Sequence, residues 1–170
     1  REVENTEEFI SLEKSFLKSN NNSFINVSLD IGFDEIKKNL SLILDKSEQE
    51  FYPSSILGAT KKGISIYELA IAYNRFFLKD LNEAKKECLS LMNKVFVQKS
   101  NLNFNNVYIK TGTTNNNEER IVVGQIADVT FAALRNENPI NDETKSGGFI
   151  SNIINFIIPL RSKIKDYKWR

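Results

Sequence analysis

The sequence contains no histidine and only one cysteine, Cys88, among its 170 residues. Without histidine, Ser-His-Asp and Cys-His catalysis are excluded, and so is the commonest zinc ligand. With one cysteine, neither an internal disulfide nor a thiolate metal cluster can form. An enzyme built on this chain must therefore move protons with lysine, tyrosine or a carboxylate, and the sequence predicts no metal and no cofactor.

Long apolar runs and an excess of one charge are also missing. The longest apolar stretch, residues 149–160, is interrupted by Asn152 and Asn155 and ends near Pro159, which is not typical of a membrane span. The 23 basic and 22 acidic residues are interspersed and leave a net charge of +1, so no nucleic-acid partner is predicted. With 41% hydrophobic residues, residues 1–170 are long enough for a single domain with its own core.

Residues 1–105 are predicted to be mainly helical. Apolar spacing and helix-capping residues favour a first helix from about Thr6 to Leu17, capped by Asn5 or Thr6. The same spacing predicts a helix from Phe33 to about Leu44. Residues 24–32 between them are interpreted as a short link, and residues 46–63 as loop.

Two further helices are expected before the predicted strands begin. Ser65 and Glu68 have the spacing of a capping box, which predicts a helix start at this point. The next helix is predicted from about Asn82 to Val97. Cys88 lies on the apolar side of that helix, which favours a small buried hydrophobe over a reactive thiol.

Residues 106–170 are predicted to form a strand meander followed by a helix. One strand ends in Lys110-Thr111-Gly112-Thr113, and the next two cover residues 120–128 and 129–137. The short connections imply antiparallel pairing. Gly147-Gly148 is expected to open a last helix that Pro159 stops. The predicted fold class is α+β, with about three C-terminal strands packed against helices.

Two short motifs carry possible chemistry. Lys110-Thr111-Gly112 alone is weak, because a strand end with a solvent-reaching lysine is the better explanation of it. Ser19-Asn20-Asn21 alone is an ordinary turn after a helix. In serine enzymes that recognise penicillin, a Lys-Thr-Gly and a Ser-x-Asn element occur together with Ser-x-x-Lys. In these enzymes a lysine carries out the proton transfer that a histidine imidazole performs in other serine enzymes.

The whole chain resembles the transpeptidase domain of penicillin-binding proteins, most closely the bifunctional, class A type. The resemblance rests on residues that occur in the family's order around these two motifs. They are Gly32-Phe33-Asp34, Leu57-Gly58, Glu68-Leu69-Ala70, Ala72-Tyr73, Phe76, Val123-Gly124 and Gly147-Gly148. It implies a penicillin-binding, β-lactamase-like fold that cross-links peptidoglycan stem peptides by serine acyl transfer.

The resemblance also implies a role for each motif residue. Ser19 would relay a proton toward the leaving amine, and Asn21 would hold the substrate amide and the lysine partner of the nucleophile. Lys110 would place a positive charge beside Ser19 and the substrate carboxylate. Thr111 and Thr113 would offer hydroxyls, with the Thr113 N–H as half of an oxyanion hole. Gly112 would leave room for an extended substrate.

The nucleophile is the main departure from the family. One Ser-x-x-Lys near the start, Ser11 to Lys14, lies on the helix that leads into Ser19, so it is interpreted as a chance match. The family's aromatic residue before Val-Gly is Ile121 here. The chain is therefore expected to be inactive alone and to be part of a longer enzyme whose nucleophile lies upstream.

Two other interpretations stay open at this point. One is a shortened, inactive transpeptidase-like module that binds wall peptide or a protein partner. The other is an unrelated α+β domain. If the resemblance holds, the parent works on the extracytoplasmic face of the bacterial cytoplasmic membrane through an anchor outside this sequence, and it binds stem peptides and β-lactams. Without the family's central helix, the chain alone is expected to self-associate or to adopt a rearranged fold.

Overall fold

A computed structural model describes residues 10–100, 102–113, 119–136 and 146–165. Within these residues there are six α-helices and a three-stranded antiparallel sheet, so the α+β class is confirmed. The helices are α1 Leu12–Lys18, α2 Asn21–Ile31, α3 Phe33–Leu44, α4 Ile66–Leu78, α5 Glu83–Ser100 and α6 Ser146–Lys165. The strands are β1 Val107–Thr113, β2 Glu119–Ile126 and β3 Val129–Asn136. The chain divides into two compact units, residues 1–65 and residues 66–170.

The first unit is built from α1, α2, α3 and two short 3₁₀ helices, Glu48–Glu50 and Pro53–Leu57. Ser11 caps α1, with its side chain accepting a hydrogen bond from the Lys14 N–H at 3.2 Å. The predicted start of this helix near Thr6 is wrong, because Ser11 is extended and α1 begins at Leu12; the predicted caps Asn5 and Thr6 lie outside the described residues. The helix predicted from Phe33 to Leu44 is confirmed as α3.

The link predicted at residues 24–32 is wrong, because this segment belongs to α2. The cap explains the difference: the Asn20 Oδ1 accepts from the Ser23 N–H at 3.0 Å and so satisfies one of the first free donors of the helix. The rings of Phe16 and Phe24 then meet edge to face at 6.3 Å between α1 and α2. Gly32, with φ at 88°, separates α2 from α3.

The second unit is organised around the sheet, whose strand order is β1-β2-β3. Its two faces can be assigned from alternation along the strands. Tyr108 contacts Phe77 of α4 with ring centroids 6.4 Å apart, and Thr130 of β3 donates to the Asn74 Oδ1 at 3.1 Å, so α4 covers this face. Val107 and Ile109 alternate with Tyr108 and are buried on the face covered by α5 and α6.

The start of α5, the turn between β2 and β3 and the end of α6 complete the description of this unit. The Asn82 side chain accepts from the Lys85 N–H at 2.8 Å and marks the start of α5. Ala127, with φ at 56°, and Asp128 form the tight turn between β2 and β3. The expected stop at Pro159 is wrong, since α6 continues to Lys165; a proline removes one helix hydrogen bond and can be tolerated inside a helix at that cost.

Candidate functional site

The Lys-Thr-Gly motif lies at the end of β1, on the outer edge of the sheet. Lys110, Thr111, Gly112 and Thr113 are all paired with β2, in a register that places Lys110 opposite Val123 and Gly112 opposite Ile121. Within the described residues, β1 has β2 as its one strand neighbour. No described strand pairs with its other side, and an extended peptide can add to a strand edge of this kind.

Burial decreases steadily along β1 toward the motif. Val107 and Ile109 are 4% and 1% exposed, and they anchor the strand to the core. Lys110 and Thr111 are half-buried, and Gly112 and Thr113 are exposed. The motif therefore begins on a half-buried part of the strand and ends at exposed residues.

Lys110 is electrostatically unusual for a lysine near a strand end. Burial lowers the pKa of its ammonium, and the positive charge of Lys99 lowers that pKa further. Both causes disfavour the charged form, because burial removes water and a like charge repels. An amine with a lowered pKa can give up its proton more easily than a solvated lysine, and it attracts a carboxylate strongly while it stays charged.

Gly112 leaves open space beside the strand. A Cβ built at this position would meet nothing within 4 Å, so no packing against the described residues requires glycine here. Gly124 is different, because a Cβ there would lie 1.9 Å from the Tyr108 carbonyl oxygen and 2.9 Å from the Ile109 Cα. Gly124 is needed for β1 and β2 to pair, whereas Gly112 keeps the outer strand accessible.

Ser19 and Asn21 lie in the first unit, at the junction of α1 and α2. Ser19 is exposed and ends α1 in the left-handed conformation, with φ at 53°, and Asn21 is the first residue of α2. The predicted end of the first helix before this motif is therefore confirmed, whereas the role of Ser19 and Asn21 as site residues stays a prediction. Ser19 and Lys110 belong to different units. The predicted crevice that would contain both of them therefore stays a prediction.

Ser11 has a structural role that agrees with a chance match to Ser-x-x-Lys. Its hydroxyl caps α1, and Ser19 stands at the opposite end of the same helix. Eight residues at the helical rise separate the two by roughly 12 Å. These two hydroxyls therefore cannot converge on one substrate atom.

The sequence also contains a second Ser-x-x-Lys near its start, Ser15 to Lys18, which sequence reasoning misses. Ser15 is fully buried, and its Oγ lies 2.9 Å from both the Ser11 carbonyl oxygen and the Ser23 Oγ. The sequence signal that reveals it is the same Ser-x-x-Lys spacing repeated directly after the first motif. A hydroxyl held in this way does not present itself to a substrate.

Two other titratable side chains, Tyr73 of α4 and Cys88 of α5, influence each other electrostatically. Burial raises the pKa of the Cys88 thiol, and Cys88 is half-buried, which agrees with an unreactive role. Burial, followed by the nearby Cys88, raises the pKa of Tyr73 to about 12. Neither group is poised for proton transfer near neutral pH. In the described parts of the chain, no group of three or more acidic or cysteine residues could hold a metal ion.

Lys99 is the residue of this site that sequence reasoning misses. It stands in the last turn of α5, 11 positions before Lys110, and no local pattern links the two. Only the packing of α5 against β1 brings their charges together. A tertiary contact of this kind leaves no signal in a single sequence.

Comparisons with known proteins return no match: no family model, no curated protein and no solved structure is similar to this chain. Among the helices as far as they are described, none is both long and apolar enough to cross a bilayer.

Proposed function

We propose that this chain is part of a peptidoglycan D,D-transpeptidase and supplies its substrate-binding strand. The observation that carries the proposal is the position of Lys110, Thr111, Gly112 and Thr113 on β1, the outermost of the described strands. An extended peptide that adds to such an edge gains main-chain hydrogen bonds, and its side chains and terminus are read by the groups alongside. The chemistry of the motif fits a substrate that ends in a carboxylate.

Each motif residue has a task in the proposed acyl transfer. A serine hydroxyl attacks the carbonyl carbon between two terminal D-alanines, and the bond to the leaving D-alanine nitrogen breaks. Ser19 passes a proton to that nitrogen, and Asn21 holds the peptide amide. Lys110 places a positive charge near the substrate carboxylate. Thr111 and Thr113 donate hydrogen bonds to the same carboxylate. An amine of a second stem peptide then displaces the serine and completes the cross-link.

The lowered pKa of Lys110 supports this assignment. A proton relay works best when the participating groups have pKa values not far above the operating pH. Burial and Lys99 both shift the pKa of Lys110 in that direction. The open space at Gly112 supports it as well, since a side chain there would stand where the substrate backbone has to lie.

The attacking serine of the proposed enzyme is a residue other than Ser11 and Ser15. These two are engaged in helix capping and in a buried hydrogen bond. The same observation favours a second candidate function, a non-catalytic module that binds wall peptide or a protein partner through β1. Labelling with a fluorescent penicillin, followed by intact mass, is expected to give no covalent adduct on either serine.

The proposal assigns the parent protein to the extracytoplasmic face of the bacterial cytoplasmic membrane, where stem peptides are cross-linked. Its ligands there are stem peptides and β-lactams. The proposal involves neither a metal nor another cofactor.

Ligand binding tests the proposed strand directly. Titration of the isotope-labelled chain with N-acetyl-D-alanyl-D-alanine is expected to shift the amide resonances of residues 110–113. Lys110→Gln is expected to weaken binding about tenfold, because a buried or half-buried charge pair with the carboxylate is lost. Lys79→Gln, at an exposed lysine of the same unit, is the matched control and should leave the affinity unchanged. Equal binding of the L,L-dipeptide, or shifts confined to other residues, would contradict the proposal.

Cross-linking tests whether the two motifs meet. In a Cys88→Ser background, a short bismaleimide is expected to join Ser19→Cys to Lys110→Cys within one chain. The pair Ser19→Cys and Lys79→Cys is the control and should give less product. If both pairs react equally, or neither reacts, the shared crevice is refuted, and with it the transpeptidase assignment.

A further inference from the structure

Helix α6 carries two sets of apolar side chains, of which one is buried and the other is exposed or half-buried. The buried set, Ile150, Ile154 and Ile157, lies on the side of α6 that packs toward α5 and the sheet. We call the second set the outer stripe; its members are Phe149, Ile153, Phe156 and Leu160. Their spacing of four, three and four positions places them along one side of the helix, next to the buried set.

The outer stripe is a continuous apolar surface. Phe156 at its centre is 69% exposed, Leu160 is 38% exposed, and Phe149 and Ile153 are half-buried. The stripe extends over eleven positions of α6, which is roughly 16 Å at the helical rise. The polar residues Asn152 and Asn155 are exposed on the remaining side of the helix. More of the circumference of α6 is therefore apolar than the fold of this unit buries.

The sequence that follows the outer stripe is strongly basic. Residues 161–170 contain five lysines and arginines and one aspartate. Because the whole chain has 23 basic and 22 acidic residues, residues 1–160 have 18 basic and 21 acidic ones. Helix α6 continues to Lys165, so the basic segment begins within the helix that carries the stripe. Positive charge is thus concentrated at one end of an exposed apolar surface.

The same ten residues contain Tyr167 and Trp169. Tyrosine and tryptophan are enriched where a membrane meets water, because their rings are apolar and each carries one polar group. Clusters of four to eight lysines and arginines on an amphipathic helix are typical of binding to anionic lipids. Apolar, aromatic and basic residues therefore occur together in and after α6 in the combination that an anionic membrane surface attracts.

The exposed area distinguishes a membrane from a protein partner. Since a fully exposed aromatic side chain offers at most about 250 Å², the partly exposed outer stripe offers on the order of 300 Å². A stable protein interface covers about 800 Å² on each partner. A bilayer surface sets no such minimum, because a few apolar side chains and several basic residues together hold a helix at anionic headgroups.

We propose that α6 binds an anionic membrane surface. The helix lies in the plane of the interface with the outer stripe at the boundary of the acyl chains, and residues 161–170 supply positive charge to the phosphate headgroups. This inference is independent of the proposed function, because it uses none of the residues assigned to the transpeptidase motifs. A failure of dipeptide binding at residues 110–113 would leave it unaffected.

Vesicle binding of the full 170-residue chain tests the proposal, and the sequence supplies the probe. Trp169 is the only tryptophan, so its fluorescence reports on the basic segment. Phosphatidylcholine vesicles with about 30% phosphatidylglycerol are expected to sediment the chain and to shift its emission to shorter wavelength. Vesicles of phosphatidylcholine alone should bind at least about tenfold more weakly. Equal binding to both kinds of vesicle, or no binding to the anionic ones, would overturn the proposal.

The apolar contribution is tested at exposed positions, where substitution leaves the core intact. Phe156→Ser with Leu160→Ser is expected to weaken binding to the anionic vesicles at least about tenfold, because apolar area is removed from the contact. Leu78→Ser with Leu81→Ser is the control in the same unit, at side chains that are 76% and 61% exposed, and should leave binding unchanged. Circular dichroism shows whether both variants keep the fold. Equal effects of the two double variants would contradict a role for the outer stripe.

The charge contribution is tested separately. Lys163→Gln with Lys165→Gln is expected to weaken binding to the anionic vesicles at least about tenfold and to leave the weak binding to phosphatidylcholine unchanged. Lys79→Gln with Lys94→Gln removes the same charge at exposed lysines of this unit and should have no effect. Equal losses in the two variants would show that overall charge, and not the basic segment, attracts the vesicles.

A second copy of the chain is the alternative occupant of the outer stripe. Sedimentation velocity without lipid distinguishes it from a membrane. A dimer that dissociates in Phe156→Ser with Leu160→Ser, in a chain that does not bind anionic vesicles, would overturn the proposal.

Discussion

The two compact units of this chain bury different kinds of side chain. Of the described residues, twelve buried apolar side chains belong to the unit of residues 66–170, including Phe96 and Ile109. The unit of residues 1–65 has one, Phe51, and its other buried side chains are three serines. One unit is therefore stabilised by a hydrophobic core around a sheet, and the other by helix caps and buried hydroxyls.

Large apolar side chains are exposed in both units, and in the second they include Leu78 and Phe156, which are 76% and 69% exposed. Leu29 and Leu42 in the helices of the first unit are 74% and 67% exposed. A unit that buries little apolar area gains little free energy of folding from the hydrophobic effect, so it needs a further surface to cover these side chains. We expect the chain to self-associate through them. Sedimentation velocity over a range of concentrations measures this, and a monomer at every concentration would refute it.

The largest effect is expected in the hydrophobic core of the second unit. Phe96 is fully buried, so Phe96→Ala leaves a cavity and should lower the free energy of unfolding by about 3–5 kcal/mol. Leu29→Ala in the first unit is the control and should change it by less than about 0.5 kcal/mol. Urea unfolding followed by circular dichroism measures both. Similar losses in the two variants would mean that the units do not differ in the way described.

The next effect separates two glycines in neighbouring strands. Gly124→Ala brings a Cβ into the backbone of β1 and should cost about 3 kcal/mol, since the strands have to move apart. Gly112→Ala adds a methyl group to open space and should cost less than about 1 kcal/mol. Thermal unfolding ranks the two. Equal shifts in Tm would show that the pairing of β1 with β2 does not require glycine at position 124.

A smaller effect is expected from the polar interior of the first unit. Ser15→Ala removes the hydroxyl that bridges Ser11 and Ser23, and should weaken the α1–α2 pair by about 1–2 kcal/mol. Amide hydrogen exchange is the measurement, because it can report on α1 and α2 separately from the sheet. Exposed Ser54→Ala is the control. If exchange in the sheet accelerates as much as in α1 and α2, the two units unfold together.

The smallest effect concerns Lys110 and depends on pH. Its pKa in the folded chain lies below the ordinary value of 10.5, so between these two values the unfolded chain binds more protons. Below the pKa of Lys110 in the folded chain, the buried ammonium destabilises the fold by its full amount. Above that pKa the folded chain loses this charge, so the free energy of unfolding rises as the pH increases toward 10.5. Lys110→Met should add about 0.5 kcal/mol at neutral pH and remove this rise.

Unfolding curves at several pH values check the prediction for Lys110. Lys79→Met, at an exposed lysine, is the control. A rise in stability with pH that persists in Lys110→Met would mean that another group causes it.

Most elements of the fold can be predicted from local patterns. The strands alternate, and α3 has a clear apolar stripe, so their types and approximate bounds are confirmed. Residues 24–32 are misread because they contain β-branched residues that favour extended structure, whereas the Asn20 cap and the contact with Phe16 stabilise a helix. Pro159 is misread because proline usually ends a helix, although α6 continues past it.

In the candidate site, too, some features follow from local sequence and others arise only through packing. The position of Lys110 at a strand end and of Ser19 after a helix follows from local sequence. The influence of Lys99 on Lys110 and the bond between Ser15 and Ser23 arise from packing between separate elements. Such contacts depend on where helices lie against their neighbours, which a single sequence does not encode in any short pattern.

The exposed side of β1 has a consequence for handling this protein. An unpaired strand edge offers its backbone to any other strand, including the same edge of a second molecule, and a charged side chain on the edge discourages such stacking into aggregates. Lys110 occupies that position, half-buried on the outer strand. Variants that neutralise it lose this protection, so they should be kept dilute, and turbidity during storage would be the first sign that edges are joining.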